Sequence, residues 1–180
     1  MAEAPVLRTD RLILRVHTLQ DFPAMAAMWS DPEMVRFIGA GQPLSEEVVW
    51  GRLQKTVGAW PILGYGFLAI EHAASGQVIG EAGFLERFAP DGEPRTPEAG
   101  WALATASRGQ GYAGEAMAAI LGWGDERFER TRCVISPENG PSIALAHRLG
   151  YREQGVEPPS ADWTGPEFLR FERERPAPGR

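Results

Sequence analysis

The chain reads as one mixed α/β domain, a single sheet with helices on both faces, and three observations predict it. Short apolar or alternating runs punctuate longer segments at helical spacing, in the order β-α-α-β-β-β-α-β-α-β-β over 180 residues. A glycine-rich turn, Arg108-Gly109-Gln110-Gly111-Tyr112-Ala113-Gly114, joins an apolar run (Ala99–Ala104) to a long helical segment. The chain is long enough for one sizeable core, and 43% hydrophobic with 23% charged residues is ordinary for a globular domain.

Each element has its local reason. Arg11 to His17 alternates Leu12, Leu14 and Val16 with Arg11, Arg15 and His17, a period-two strand. Thr18-Leu19-Gln20-Asp21 resembles a capping box and opens a helix through Trp29, which Ser30-Asp31-Pro32 ends. Gly39 to Pro43 is a turn, and Ser45-Glu46-Glu47 starts a second helix with acids in its first turn, running to about Ala59. Gly64–Ile70 and Gln77–Glu86 are strands around a turn at Ala73–Gly76, and Pro90–Pro94 is an exposed loop. Beyond the glycine-rich turn, Tyr112, Ala116, Ile120, Trp123 and Arg127 keep helical spacing as far as Glu129. Arg132–Ser136 is a strand, Pro141–Leu149 a helix closed by Gly150, and Tyr151–Val156 with Glu167–Arg173 the last strands, joined by Pro158–Pro166.

Composition excludes several classes. A net charge of −6 argues against nucleic acid as a partner and mildly favours cationic ones; Lys55 is the lone lysine. No run approaches the length of a membrane span, and Met1-Ala2-Glu3-Ala4-Pro5 lacks the form of a signal peptide. The single cysteine, Cys133, sits in an apolar stretch and reads as a small buried strand residue, so a reducing cytoplasm is the expected setting. His17 and His72 fall at loop edges and read as solvated, and the few scattered histidines predict no metal site.

The glycine-rich turn points unpaired backbone N–H groups and the positive end of a helix at one spot, which suits a phosphate or pyrophosphate. It lacks the Gly-Lys-Ser/Thr of a Walker loop. Gly109-x-Gly111-x-x-Gly114 meets the literal dinucleotide fingerprint, but only about 65 residues follow, too few for the rest of such a fold.

Arg108-x-x-Gly111-x-Ala113 resembles the pyrophosphate loop of the GNAT acetyltransferase superfamily, which binds acetyl-CoA. Thr9-Asp10-Arg11-Leu12-Ile13-Leu14-Arg15 is similar to the opening strand of its ribosomal-protein N-terminal acetyltransferase branch. Gln77–Phe84 and Glu98–Leu103 resemble that branch's third and fourth strands. Asn139-Gly140-Pro141-Ser142-Ile143 and Arg148-Leu149-Gly150-Tyr151 resemble the start and end of its last helix. The resemblance implies a GNAT domain over residues 7–175 with a flexible tail at 176–180. It also implies a mixed, mostly antiparallel sheet splayed between its fourth and fifth strands, with the pantetheine arm in the gap. Trp101, Ala102 and Leu103 would then face that arm, and Arg108, Gly109, Gln110, Gly111, Tyr112, Ala113 and Gly114 would hold the pyrophosphate.

The implied function is acetyl transfer from acetyl-CoA, without a metal, to a primary amine on a small molecule or a protein N-terminus, by direct attack in a ternary complex. Nothing in the residues separates a monomer from a homodimer. An amine with a pKa near 10 is protonated at neutral pH, so a group must take its proton, and N–H donors must steady the thioester oxyanion. Glu98, where related enzymes often carry a glutamate, is the first candidate base, and Glu81 on the neighbouring strand is the second. Many family members carry a general-acid tyrosine where this chain has Ala146. Ser142 could serve the sulfur side, with Asn139 on the pantetheine amide; both residues also suit a plain helix start. The missing tyrosine keeps open a non-catalytic acyl-CoA-binding or sensing module. Among the aromatics, core packing is the reading for most, with Phe37 and Trp163, in predicted loops, as acceptor-cleft candidates.

Overall fold

A computed structural model describes residues 4–86, 96–157 and 165–177. The predicted loop at Pro90–Pro94, the residues around Trp163 and the last three positions lie outside the described residues. Strands β1 (Leu7–Arg8), β2 (Leu12–Arg15), β3 (Phe67–His72), β4 (Val78–Leu85), β5 (Glu98–Leu103), β6 (Arg130–Ile135), β7 (Arg152–Val156) and β8 (Leu169–Glu174) form one sheet. The helices are α1 (Phe22–Trp29), α2 (Pro32–Val35), α3 (Glu46–Leu63), α4 (Tyr112–Asp125) and α5 (Gly140–Arg148). The strand order is β1-β2-β3-β4-β5-β6-β8-β7, antiparallel throughout except where β5 meets β6. The mixed sheet with helices on both faces is as expected.

Three local differences have clear causes. β1 pairs Leu7 with Leu14 and is too short to leave a periodic pattern. Asp31-Pro32, read as a stop, also starts α2: the Asp31 carboxylate accepts from the Glu33 N–H at 3.0 Å, and Pro32 occupies the first turn, where its missing N–H does no harm. Helix α3 runs past Ala59 to Leu63 through Pro61, because proline there removes one bond in the last turn only. That turn is held by Trp60, whose indole N–H donates to the Phe67 carbonyl at 3.0 Å, and is closed by the left-handed Gly64.

The alternation of the strands separates two cores. Leu12, Leu14, Leu68, Ile70, Ala82, Phe84 and Leu103 pack with Met117, Ile120 and Leu121 of α4. On the opposite face Met25, Met28, Trp29, Val49 and Leu53 of α1 and α3 pack with Ala102 of β5. Cross-strand partners share a face, so the pairs Glu81↔Ala102, Gly83↔Gly100 and Leu85↔Glu98 all stand on the α1–α3 side. Cys133 is buried in the α4-side core, and burial pushes its thiol pKa up.

Candidate active site

β5 and β6 are parallel, and the one register pair between them is Glu98↔Arg132, supported by the Arg132 N–H on the Pro97 carbonyl at 3.0 Å. From that junction the strands diverge, leaving the β5 edge from Gly100 to Leu103 open toward the gap. β6 instead pairs with β8 over its whole length. The indole N–H of Trp101 reaches across to the Ser142 hydroxyl on α5 at 3.3 Å. Ser142 is itself seated by Asn139, the N-cap of α5, whose side-chain oxygen accepts the Ser142 N–H at 3.2 Å. Asn139 and Ser142 are thus brought to the gap that holds Trp101.

At the C-terminal end of β5 the chain makes a 3-10 turn and enters α4 through Gly109 (φ 75°) and Gly111 (φ 83°). Both are left-handed, a conformation that only glycine adopts freely, and Gly111 is the N-cap of α4 with no side-chain cap. The first N–H groups of α4 are therefore left without a cap beside an open loop. A Cβ on Gly109 would meet nothing within 4 Å. This geometry fits a pyrophosphate.

Arg108 does not reach into that loop with its side chain. Its guanidinium donates to the carbonyls of Leu103 (3.3 Å), Glu33 (3.2 Å) and Met34 (2.9 Å), clamping α2 against the end of β5. Gln110 folds back on the Ala106 carbonyl at 3.2 Å. The cation beside the loop is Arg11, which sequence reasoning missed. It donates to the Gln110 carbonyl at 3.0 Å, lies 4.5 Å over the Tyr112 ring, and pairs with Glu115 at 2.6 Å. Partial burial works against the Glu115 carboxylate, but donors from Thr9 and Arg11 outweigh it and hold its pKa below the ordinary value.

The two candidate carboxylates lie on the α1–α3 face, on either side of Gly100. Glu98 is 4% exposed, and one oxygen accepts from Arg132 at 3.0 Å; Arg132 also bridges to Glu157 at 3.0 Å. Glu98 thus ties the strand junction together. Glu81 is wholly buried, one strand away from the open β5 edge and opposite Ala102. Its Oε1 accepts both Nε (3.0 Å) and Nη2 of Arg52, whose guanidinium is stacked 3.9 Å from Trp29. Its Oε2 has no hydrogen-bond partner among the described residues and lies 3.5 Å from Nε2 of His17.

His17 corrects an expectation. It is not solvated but 3% exposed, packed under the sheet where β2 ends. The polar half of the β2 alternation predicted an outward histidine; α1 and α3 cover that face instead. Burial lowers its pKa, with Glu81 and Asp21 opposing and Arg15 and Arg52 assisting, so the imidazole is neutral at pH 7. Of the aromatics, Trp29 and Trp60 are core residues, Trp50 is exposed, and the cleft candidate Phe37 is half-buried under the Arg36 guanidinium. Ala146, where a tyrosine acid would stand, is fully buried in the α4-side core.

Comparison with known proteins agrees with this geometry. The family described as acetyltransferase (GNAT) domain matches residues 11–152. A protein named uncharacterized N-acetyltransferase p20, from Bacillus licheniformis, is 28% identical over 153 residues, covering 83% of this chain and 84% of that protein. A putative GNAT-family acetyltransferase from Bordetella pertussis superposes with a TM-score of 0.77 at 35% identity, covering 94% of this chain and 99% of the other. RimL, a ribosomal L7/L12 alpha-N-protein acetyltransferase solved with coenzyme A, shares the fold at a TM-score of 0.76 and 17% identity, with 94% and 98% covered.

Proposed function

This chain belongs to the GNAT acetyltransferase family, and from that premise we propose that it transfers acetyl from acetyl-CoA to a primary amine by direct attack, with Glu81 taking the amine's proton. The observation that carries the reading is the β5 edge: it opens from the strand junction at Glu98 to a left-handed glycine loop beyond Leu103, with Glu81 buried opposite Ala102 on the α1–α3 face.

The pyrophosphate sits on the loop Gly109–Gly114 and the first N–H groups of α4. From there the pantetheine arm runs back along the β5 edge toward Glu98. The five residue steps from Leu103 to Glu98 span about 17 Å, comparable with an extended arm, so the thioester lies near Gly100 and Trp101. Backbone N–H groups of the open edge steady the oxyanion. Position 100 must be glycine, because a Cβ on the α1–α3 side would come within 2.8 Å of the Phe67 ring. The acceptor approaches from the α1–α3 side, where Glu81 lies.

The amine arrives as an ammonium ion and must lose a proton before it attacks. Glu98 and Glu81 both face this side. Glu81 is preferred because its Oε2 has an unfilled acceptor position beside a neutral imidazole, whereas Glu98 supports the junction through Arg132. Attack forms the N–C bond; the C–S bond then breaks with its electron pair on sulfur. A thiolate leaves readily, so the alanine at position 146 does not forbid turnover. The residues around the gap do not select between a protein N-terminus and a small amine.

The test is thiol release from acetyl-CoA with a panel of primary amines, run on the parent, Glu81→Gln and Glu98→Gln. Release that depends on the amine, with kcat reduced about 100-fold or more in Glu81→Gln, supports the reading. Coenzyme A binding without release for any amine would favour an acyl-CoA-binding module. A larger loss in Glu98→Gln than in Glu81→Gln would move the base to the strand junction.

A further inference from the structure

Glu81 does not stand alone. His17 from the end of β2, Glu81 from β4 and Arg52 from α3 meet beneath the sheet, with both ring nitrogens of His17 and Oε2 of Glu81 lacking hydrogen-bond partners among the described residues. The side chains of His17 and Glu81 are wholly buried. An imidazole and a carboxylate in apolar surroundings with unfilled positions are costly, and each such group calls for a role. The charged groups around the imidazole are Glu81 on β4, Asp21 before α1, Arg15 on β2 and Arg52 on α3. Asp21 is already committed to Arg15 through bonds of 2.7 and 2.9 Å, and Arg15 also holds Glu71 at 2.7 Å. Glu81 is therefore the anion with a position left for His17.

We propose that His17 acts through Glu81, the two forming one buried proton-accepting pair that draws the proton from the acceptor ammonium. This rests on the proposed transfer reaction and adds to it a residue that contacts neither thioester nor amine. In the resting pair Glu81 is ionised and His17 neutral. The ammonium proton passes to Glu81 Oε2, through a water beside the partly exposed Arg52 guanidinium, and is shared with His17 Nε2. The freed nitrogen lone pair forms the N–C bond. Collapse of the addition intermediate breaks the C–S bond, and a second nitrogen proton goes to the thiolate. The pair then returns its proton to solvent, so each turnover yields amide, coenzyme A thiol and one proton.

The pair makes the acid side of the pH profile a joint property of the two residues. With glutamine at position 17 the imidazole no longer shares the proton. The acid limb of kcat/KM then moves to lower pH, and kcat at pH 7 falls about 10-fold or more while KM for acetyl-CoA stays within a few fold. A histidine with a merely structural role would change stability and leave the limb in place.

Two measurements decide it. The first is the pH profile of His17→Gln against the parent, using the fastest amine of the panel. The second needs no acceptor and no folded His17 variant: imidazole NMR of the full chain, which has three histidines, in the parent and in Glu81→Gln. The expected result is a His17 titration that drops further in Glu81→Gln, since the carboxylate raises it. A His17 titration blind to Glu81→Gln, or a parental acid limb in His17→Gln, overturns the pair. If Glu81→Gln is inactive and His17→Gln is fully active, the pair falls and Glu81 keeps its role. A fully active Glu81→Gln removes both.

Discussion

The two ends of the site, the glycine loop beyond β5 and the buried carboxylate cluster beneath the sheet, are built on different principles. The loop is made of backbone: left-handed Gly109 and Gly111, uncapped N–H groups of α4, and side chains that fold away or brace it from behind. In the cluster, on the α1–α3 face opposite Ala102, the chemistry is carried by side chains from β2, α3 and β4, held by ion pairs. The first arrangement tolerates no side chain at particular positions. The second depends on particular side chains and on little else. The phosphate end should therefore fail in cofactor affinity, and the carboxylate end in stability and turnover.

The largest effect separating the ends is Arg52→Met. Methionine keeps much of the packing against Trp29 but leaves the buried Glu81 carboxylate without its cation. Breaking a buried pair by removing one partner costs about 3 kcal/mol, somewhat less here because Arg52 is partly exposed and water can enter. Urea unfolding at pH 7 should show that loss, coenzyme A affinity should stay within a few fold, and adding Glu81→Gln should restore part of the stability. A lost affinity with unchanged stability would break the comparison.

At the other end, Gly111→Glu should weaken coenzyme A binding by calorimetry at least tenfold, about 1.4 kcal/mol or more. The substitution combines a left-handed backbone that disfavours side chains with a charge facing the pyrophosphate. Gly111→Asn separates these causes, since asparagine accepts the left-handed region and carries no charge. Unchanged affinity in Gly111→Glu would remove the pyrophosphate from this loop.

This difference also governs what could be read from the residues alone. The glycine turn, its flanking strand and the helix after it are contiguous, so their spacing was visible, and so was the order of most elements along the chain, though not β1 or α2. Arg52 and Glu81 stand 29 positions apart, and only the folded sheet brings them to His17. Period-two alternation assigned His17 to the outward face of β2, because it cannot tell a solvated face from one covered by helices. Arg11 was visible as part of an opening-strand motif, but its place over Tyr112 follows from the packing of α4 against the first strands. Arg108 shows the reverse: a motif residue whose side chain braces α2.

The carboxylate end also carries a pH signature. The folded pKa of His17 is lowered below 6.5, so the unfolded chain takes up that proton more readily as pH falls. Its contribution is complete above the unfolded value and is lost as pH drops from 6.5 toward the lowered folded value, at up to about 1.4 kcal/mol per pH unit. Asp21 adds a later loss. Burial opposes its ionisation, but Arg15 and Thr18 hold its pKa below the ordinary carboxylate value of 3.8, and its contribution disappears as pH falls through that range. Denaturation at stepped pH should show the first loss in the parent and not in His17→Gln. A parental loss near pH 6 that persists in His17→Gln would assign it to another group.

The smallest effects lie between the ends, where Trp101 and Ser142 meet across the gap. Ser142 is not the cap of α5; Asn139 is, so the two residues should separate cleanly. Asn139→Ala removes an N-cap and should lower stability by about 1 kcal/mol. Ser142→Ala keeps that cap, because the Asn139 side chain bonds the Ser142 N–H and not its hydroxyl. What it loses is the acceptor for the Trp101 indole, a part-buried hydrogen bond of 3.3 Å worth at most about 1 kcal/mol and less where water replaces it. If the hydroxyl only positions Trp101, Ser142→Ala should shift the unfolding midpoint slightly and leave kcat within twofold. If it also serves the sulfur, kcat should fall several fold with affinity for desulfo-coenzyme A unchanged. The kcat-to-affinity ratio in Ser142→Ala therefore decides whether the middle of β5 belongs with the backbone-built end or with the side-chain chemistry of the other.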